Sequence, residues 1–178
     1  QDGNPKPRLW RLPKDKGLVV YYGLCNQGAK KIVEQLKKKN SLISASIAKT
    51  NNVSMDKAAD DYQASFEILA EHVDIVTINL SCPNVDGFTG LQSKELLEPI
   101  LDKIQSINTK HRPIWLKIGQ DLSKEQLDDI IYLSKKYKVD AIIASNLAKD
   151  KTKLNLKSSN KNKLGGISGK PTRDKSNK

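Results

Sequence analysis

The chain has 178 residues, 37% of them hydrophobic and 29% charged, which is a globular composition with enough length for one domain. The longest apolar runs are far shorter than the roughly 18 residues of a membrane-spanning helix, and two cysteines exclude a disulfide-dense secreted scaffold. Gln1 begins the chain without the pattern of a signal peptide, and we expect an internal fragment of a longer protein.

The net charge of +11 is concentrated near the end of the chain. Residues 149–178 contain nine lysines and one arginine against two aspartates, a net charge of +8. No aromatic residues accompany these lysines, which favours a solvated lysine-rich loop over 149–164 rather than a nucleic-acid groove. A basic module that binds another polyanion stays open as the non-enzymatic alternative.

The elements are predicted from prolines, caps and apolar periodicity. Pro5, Pro7 and Pro13 predict an irregular basic segment over 1–16. The remaining pattern predicts, in chain order, a helix over 28–39, a strand over 42–48, a helix capped by Ser54, a strand over 74–81, a helix over 93–107, a strand over 113–118, a helix capped by Ser123 and a strand over 139–145.

This alternation predicts βαβ units around a parallel sheet. Both an open flavodoxin-like sheet and a TIM barrel are compatible with the pattern. No Gly-x-Gly-x-x-Gly sequence follows a strand, which disfavours a dinucleotide-binding fold.

Polar residues stand where the predicted strands end, the edge at which parallel barrels carry their chemistry. They are Ser46 and Lys49, then Asn79, Ser81, Cys82 and Asn84, then Lys117, and finally Ser145 and Asn146. Lys117 interrupts the apolar strand IWLKI, so it is either a lysine that extends into solvent or a cation that faces an electron-rich ligand. Cys82 is either a small buried side chain or a reactive thiol. No histidines or carboxylates share metal-ligand spacing, so no metal is expected.

Several of these motifs occur in series, and the series resembles one known family. INLSCPNVDGFTGLQ, WLKIGQDLS, IIASN and GGISGKP are similar, in order and spacing, to the motifs of dihydroorotate dehydrogenase. The opening GNPKPRLWRLPKDKGLVVYYGLCNQGA resembles the membrane-associated, quinone-dependent class. The resemblance implies a single partial TIM (β/α)8 barrel over residues 1–178, comprising about strands 3 to 6 of eight and lacking strands 1, 2, 7 and 8.

The resemblance also implies the roles of individual residues. Cys82 is the implied catalytic base, which removes the C5 proton of dihydroorotate. The implied FMN contacts are Ser46, Asn79, Lys117, Ser145 and Gly169. The implied substrate contacts are Asn79, Asn84 and Asn146, and Arg11 matches an arginine of the quinone tunnel.

Three positions depart from the family pattern. Cys82 stands where the quinone-dependent class usually has Ser, Cys being typical of the soluble class. Ser46 replaces an Asn that contacts FMN, and Val20 replaces a substrate-binding Asn. The soluble type, with fumarate or NAD as acceptor, and another FMN-dependent dihydropyrimidine oxidoreductase therefore remain alternatives.

The resemblance sets the functional expectation. It implies FMN-dependent oxidation of dihydroorotate to orotate in pyrimidine biosynthesis, with quinone as the acceptor, by an enzyme on the cytoplasmic side and peripheral to the inner membrane. No nucleic-acid partner is expected, and a segment absent from this chain would make the membrane contact. Because half of the barrel is missing, we expect these 178 residues alone to be inactive, prone to aggregation and unable to retain FMN.

Overall fold

The computed structural model describes residues 2–36, 41–81 and 88–177. The strands are β1 (Leu9–Leu12), β2 (Gly17–Val20), β3 (Ser44–Ile47), β4 (Ile75–Asn79), β5 (Ile114–Lys117), β6 (Ala141–Ile143) and β7 (Gly166–Gly169). The α-helices are α1 (Ala29–Leu36), α2 (Ala58–Leu69), α3 (Lys94–Ile107), α4 (Lys124–Lys136) and α5 (Arg173–Ser176).

Four of the strands form a parallel sheet in the order β3-β4-β5-β6. Every neighbouring pair is parallel, as the alternation of strands and helices predicts. Every second residue of these strands faces the helices α2, α3 and α4. Among these residues, Val76, Ile78 and Leu116 are fully buried. The main hydrophobic core therefore lies between one face of the sheet and these helices, and the other face is the inner face of the curved layer.

The helix starts follow the predicted caps, with one shift. The Ser123 hydroxyl accepts from the Gln126 N–H at 3.2 Å, and the Gln126 side chain accepts from the Ser123 N–H at 3.0 Å. These two bonds form the capping box that begins α4. Ser54 instead precedes a short 3-10 turn over Met55–Lys57, and α2 begins directly after that turn at Ala58.

The two edges of the parallel sheet differ, and we name them for the strand ends that they carry. The amino edge comprises the first residues of β3 to β6 and those before them. There the Asp74 carboxylate accepts from the Ile43 N–H at 2.9 Å, and the Asp140 carboxylate accepts from the Ile114 N–H at 2.7 Å. Each aspartate thus ties the start of its own strand to the start of a neighbouring one. The carboxyl edge comprises the last residues of these strands and those that follow.

Strands β1, β2 and β7 form a second, antiparallel sheet. The prediction of an irregular segment over 1–16 is wrong for residues 9–12, which form β1. The prolines flank this strand rather than interrupt it, and the strand forms by pairing with β2. Leu12, Val19, Leu156 and Ile167 form a separate small core on this sheet.

The lysine-rich segment packs on this second sheet. Over 149–164, all of it described, the structure has one 3-10 turn at Ser159–Asn162 and otherwise no helix or strand. The Asp15 carboxylate accepts from the N–H groups of Lys157 and Ser158 at 2.8 and 2.9 Å, which holds the segment against the β1–β2 turn. We call β1, β2, β7 and residues 149–164 together the small-sheet module.

The net charge is divided between the chain's terminal segments and the rest of the sequence. Residues 17–148 contain sixteen basic and sixteen acidic residues. The whole excess of +11 therefore comes from residues 1–16 and 149–178. Asp15 brings these two segments together in the fold, so a large part of the positive charge is gathered at the small-sheet module.

Candidate functional site at the carboxyl edge

Asn79 and Lys117 are paired neighbours at the carboxyl edge. They end β4 and β5, and the parallel register places them side by side on the inner face of the sheet. Asn79 is buried and Lys117 is half-buried. Among the residues that the structure describes, neither the Lys117 ammonium nor the Asn79 amide nitrogen has a hydrogen-bond partner. Two adjacent donors are thus available to a ligand on this face.

Hydroxyl groups lie next to these donors on the same face, toward the amino edge of the sheet. The Ser44 and Thr77 hydroxyls lie 2.9 Å apart and are hydrogen-bonded to each other. Ser46 follows at the end of β3, opposite Thr77 in the register, and is exposed. Ser46 therefore lies on the same face as Asn79 and Lys117, where a ligand could contact its hydroxyl.

Ser81 joins three strand ends beside this pair. Its N–H donates to the Asn79 side-chain oxygen at 3.2 Å, and its hydroxyl donates to the Lys117 carbonyl at 3.2 Å. The Asn146 amide nitrogen donates to the Ser81 carbonyl at 2.7 Å and to its hydroxyl oxygen at 3.1 Å. Asn146 is thereby brought next to the Asn79–Lys117 pair.

Two helices support the same edge. The Tyr62 hydroxyl, fully buried on α2, donates to the Asn79 backbone carbonyl at 2.6 Å. Ser145 lies 2.8 Å from the Ser176 hydroxyl of α5, and the Gln120 amide nitrogen donates to the Thr172 carbonyl at 2.7 Å. The segment that follows β7 is therefore fastened to the ends of β5 and β6.

Gln120 also carries a buried acceptor. Its amide nitrogen donates to both the Thr172 carbonyl and the Ser176 hydroxyl, whereas its buried side-chain oxygen has no hydrogen-bond partner in the described part of the chain. The sequence does not distinguish Gln120 from an ordinary turn residue, because its burial comes from contacts with a segment fifty residues later.

Arg11 and Gly169 lie apart from the Asn79–Lys117 pair, in the small-sheet module. Both line one groove, which also includes Lys16 and Gly17. Gly169 has φ +95, and a Cβ there would lie 2.7 Å from the Lys16 carbonyl oxygen, so no side chain fits without a shift. Val20 ends β2, where it pairs with Leu9 and Gly166.

The predicted base Cys82 and the predicted substrate contact Asn84 lie outside the described residues. Their last described neighbour, Ser81, belongs to the carboxyl edge. Lys49, also at a strand end, is buried and donates to the carbonyls of Thr50 and Val53 at 2.9 and 2.6 Å. Its charge is thus committed to the backbone, unlike that of Lys117.

Asp121 follows β5 by four residues, and its pKa is shifted. Burial raises its pKa, but the Lys175 ammonium and the N–H groups of Lys149 and Asp150 together outweigh burial and lower the pKa below its usual value. The Lys175 ammonium lies 2.8 Å from the carboxylate. Asp121 therefore stays ionised and fixes the start of the lysine-rich segment.

Over residues 2–36, 41–81 and 88–177, no group of three histidines, cysteines or carboxylates could hold a metal ion. No described helix is both long enough and apolar enough to cross a membrane.

The fold and the site together define a class of protein, a (β/α)-barrel protein that presents amide and ammonium donors at the carboxyl ends of its strands. The family model described as dihydroorotate dehydrogenase matches residues 1–178. The chain belongs to this family, and the family is flavin-dependent.

Named relatives agree with the family match. The dihydroorotate dehydrogenase (quinone) of Crocosphaera subtropica is 39% identical over 99% of this chain and 50% of its own length. The enzyme of the same name from Christiangramia forsetii is 40% identical over 96% of this chain and 51% of its own. The chain thus spans about half the length of the curated relatives it matches.

A solved structure confirms the fold. The ligand-free crystal structure of DHODH from Eimeria tenella superposes with a TM-score of 0.89 at 26% identity, covering 99% of this chain and 56% of that one. The prediction of a partial TIM barrel is therefore confirmed, and β3 to β6 with their helices are its part of the parallel layer.

Proposed function

We propose that the complete protein oxidises dihydroorotate to orotate with FMN as its cofactor and a quinone as its electron acceptor. The family match over all 178 residues carries the proposal, together with the quinone-dependent names of the relatives. The local feature that fits this proposal is the pair of donors at the carboxyl edge, Lys117 and Asn79, which have no partner among the described residues.

The donor set suits an isoalloxazine ring. Lys117 offers a half-buried ammonium without an anionic partner among the described residues, and Asn79 offers an amide nitrogen beside it. A flavin ring presents carbonyl oxygens and ring nitrogens that accept such bonds. Lys117, Asn79 and Ser46 would hold the ring, with Ser145 and Gly169 as further contacts.

When bound, FMN supplies the acceptor for a hydride from C6 of dihydroorotate. A fixed ammonium at Lys117 stabilises negative charge that develops nearby, because it needs no reorganisation during the reaction. Asn79 and Asn146, with Asn84, would orient the substrate through its amide-like edges. Arg11 in the module groove would contact the quinone.

Cys82 would take the proton from C5. Only its thiolate accepts a proton, and an ordinary thiol has a pKa of about 8.5. The rate of flavin reduction by dihydroorotate should therefore rise with pH until this thiol is ionised. Cys82→Ala should lose most of that rate and keep FMN, whereas Cys82→Ser should need a higher pH, because a hydroxyl is a far weaker acid. Stopped-flow bleaching of the flavin across pH measures this, and near-normal bleaching in Cys82→Ala would make Cys82 a packing residue.

The test of the whole proposal uses the complete protein. It should purify yellow, bleach on addition of dihydroorotate, and recover its colour faster with a quinone than with fumarate or NAD. Preference for fumarate or NAD would assign it to the soluble type, in keeping with Cys82. A colourless protein, or a flavin that dihydroorotate does not bleach, would overturn the proposal.

A further inference from the structure

We propose that Ser81 is a positioning residue, whose hydroxyl holds the Asn146 amide against the end of β5 at the substrate site. This inference rests on the proposed function, since it concerns the same site. Ser81 is buried, with 5% of its surface exposed, and it immediately precedes Cys82. The described structure gives both of its backbone polar groups and its hydroxyl a partner at the carboxyl edge.

The first fixed group is the Asn79 amide. The Ser81 N–H can only donate, so the Asn79 atom that faces it at 3.2 Å must be the oxygen. The amide nitrogen of Asn79 is thereby left for another acceptor, and a 180° turn of the amide would place two donors against each other. The backbone N–H of Ser81 thus sets Asn79 to offer a donor, rather than an acceptor, beside Lys117, and this bond stays in place when the side chain at position 81 is changed.

The second fixed group is the Asn146 amide. The Ser81 carbonyl can only accept, so the atom 2.7 Å away must be the Asn146 nitrogen. The Asn146 oxygen accepts from the Leu147 N–H at 2.8 Å, which agrees with the same orientation. Because the amide nitrogen also donates to the Ser81 hydroxyl oxygen at 3.1 Å, the group of Asn146 that remains for a ligand is a lone pair of its oxygen.

The Ser81 hydroxyl links these groups to β5. It donates to the Lys117 carbonyl at 3.2 Å and accepts from Asn146 at 3.1 Å, so it bridges the residues that follow β4 and β6 to the last residue of β5. Its other acceptor, the Asn79 oxygen, is farther away at 3.4 Å. A hydroxyl has one hydrogen, and the shorter contact identifies the Lys117 carbonyl as its better acceptor.

The experiment compares Ser81→Ala with a matched control in the complete protein. Ser134→Ala is that control, because Ser134 is also buried but its hydroxyl has no hydrogen-bond partner in the described structure. Orotate affinity is measured by the change in flavin absorption, together with flavin content and the melting temperature. Ser81→Ala should weaken orotate binding about tenfold and raise the KM for dihydroorotate at nearly constant flavin content, as expected for one lost bond to a positioned amide.

Two further variants separate positioning from loss of packing. Ser81→Thr keeps the hydroxyl and should restore most of the orotate affinity. In an Asn146→Ala background, where the amide is already gone, Ser81→Ala should weaken orotate binding less than twofold. An unchanged orotate affinity in Ser81→Ala, or equal losses in both backgrounds, would overturn the inference. Failure of the unaltered protein to bind orotate would instead overturn the proposed function.

Discussion

The two edges of the parallel sheet differ in whether they leave polar groups without a partner among the described residues. At the amino edge, the carboxylates of Asp74 and Asp140 accept backbone N–H groups from neighbouring segments. At the carboxyl edge, the ammonium of Lys117 and the amide nitrogen of Asn79 have no partner among the described residues. A partly buried donor that the described residues do not pair is available to a ligand. We therefore propose that the amino edge serves stability and the carboxyl edge serves binding.

Replacing Lys117 should give the largest contrast between the effect on flavin reduction and the effect on stability. Lys117→Ala should slow flavin reduction, because the loss of the ammonium raises the activation free energy by about 2–4 kcal/mol. It should also lower the flavin content. Because the ammonium has no partner among the described residues, the unfolding free energy without flavin should stay the same or rise. Stopped-flow reduction and the ratio of flavin to protein measure the first effect, and urea unfolding of the apoprotein measures the second. Full flavin content with normal reduction would leave Lys117 as a lysine that merely extends into solvent.

Asp140 tests the opposite edge. Asp140→Ala leaves the Ile114 N–H without its 2.7 Å acceptor, and the unfolding free energy should fall by about 1–3 kcal/mol. Orotate affinity should change less than twofold, because the site lies at the other end of the strands. Asp128→Ala is the control, since Asp128 is an exposed carboxylate on α4. A large loss of orotate affinity in Asp140→Ala would contradict the division between the edges.

Asp121 tests the attachment of the lysine-rich segment to the carboxyl edge. Its pKa is lowered in the folded state, so its contribution is present above the unfolded pKa of about 4 and is lost as the pH falls through the lower folded value. Asp121→Asn should cost about 1 kcal/mol at pH 7 and flatten the acid side of the stability profile. Urea unfolding between pH 3 and pH 7 measures this, and an unchanged pH profile in the variant would contradict it.

Asp15 should give the smallest and most local effect. Its pKa is lowered by the Ser158 hydroxyl and by the N–H groups of Lys157 and Ser158, so its hold on the segment should weaken only as the pH falls below its usual pKa. In Asp15→Asn, the amides of Lys157 and Ser158 should exchange faster with deuterium at pH 7, while exchange in β4 and β5 stays unchanged. Equal acceleration in both places would show that the module and the parallel layer unfold as one unit.

The sequence predicted the parallel layer because each of its elements is specified locally. Apolar runs of strand length, helical periodicity and the cap at Ser123 all lie within a few residues of the elements that they define. The family resemblance placed Asn79, Lys117 and Asn146 together, and the described residues show them at one edge. The assigned contacts of these residues with FMN and orotate stay predictions.

The antiparallel sheet and the role of Ser81 could not be predicted in this way. β1 is short and lies among prolines, and β7 is Gly-Ile-Ser-Gly, which also resembles a turn. Both are strands because they pair with β2, a contact that no local pattern records. Ser81 resembles any serine at a strand end, and only the approach of Lys117 and Asn146 in space gives it three partners.

The pairing of β2 with β7 has a consequence for synthesis on the ribosome. Val20 pairs with Gly166, so the middle strand of the antiparallel sheet emerges about 150 residues before its second neighbour. At typical elongation rates of roughly 5–20 residues per second, β2 waits on the order of ten seconds for that neighbour, while the helices and strands between them can already form. The groove that holds Arg11 and Gly169 is then completed only when β7 arrives, and the nascent chain exposes the unpaired side of β2 until that point.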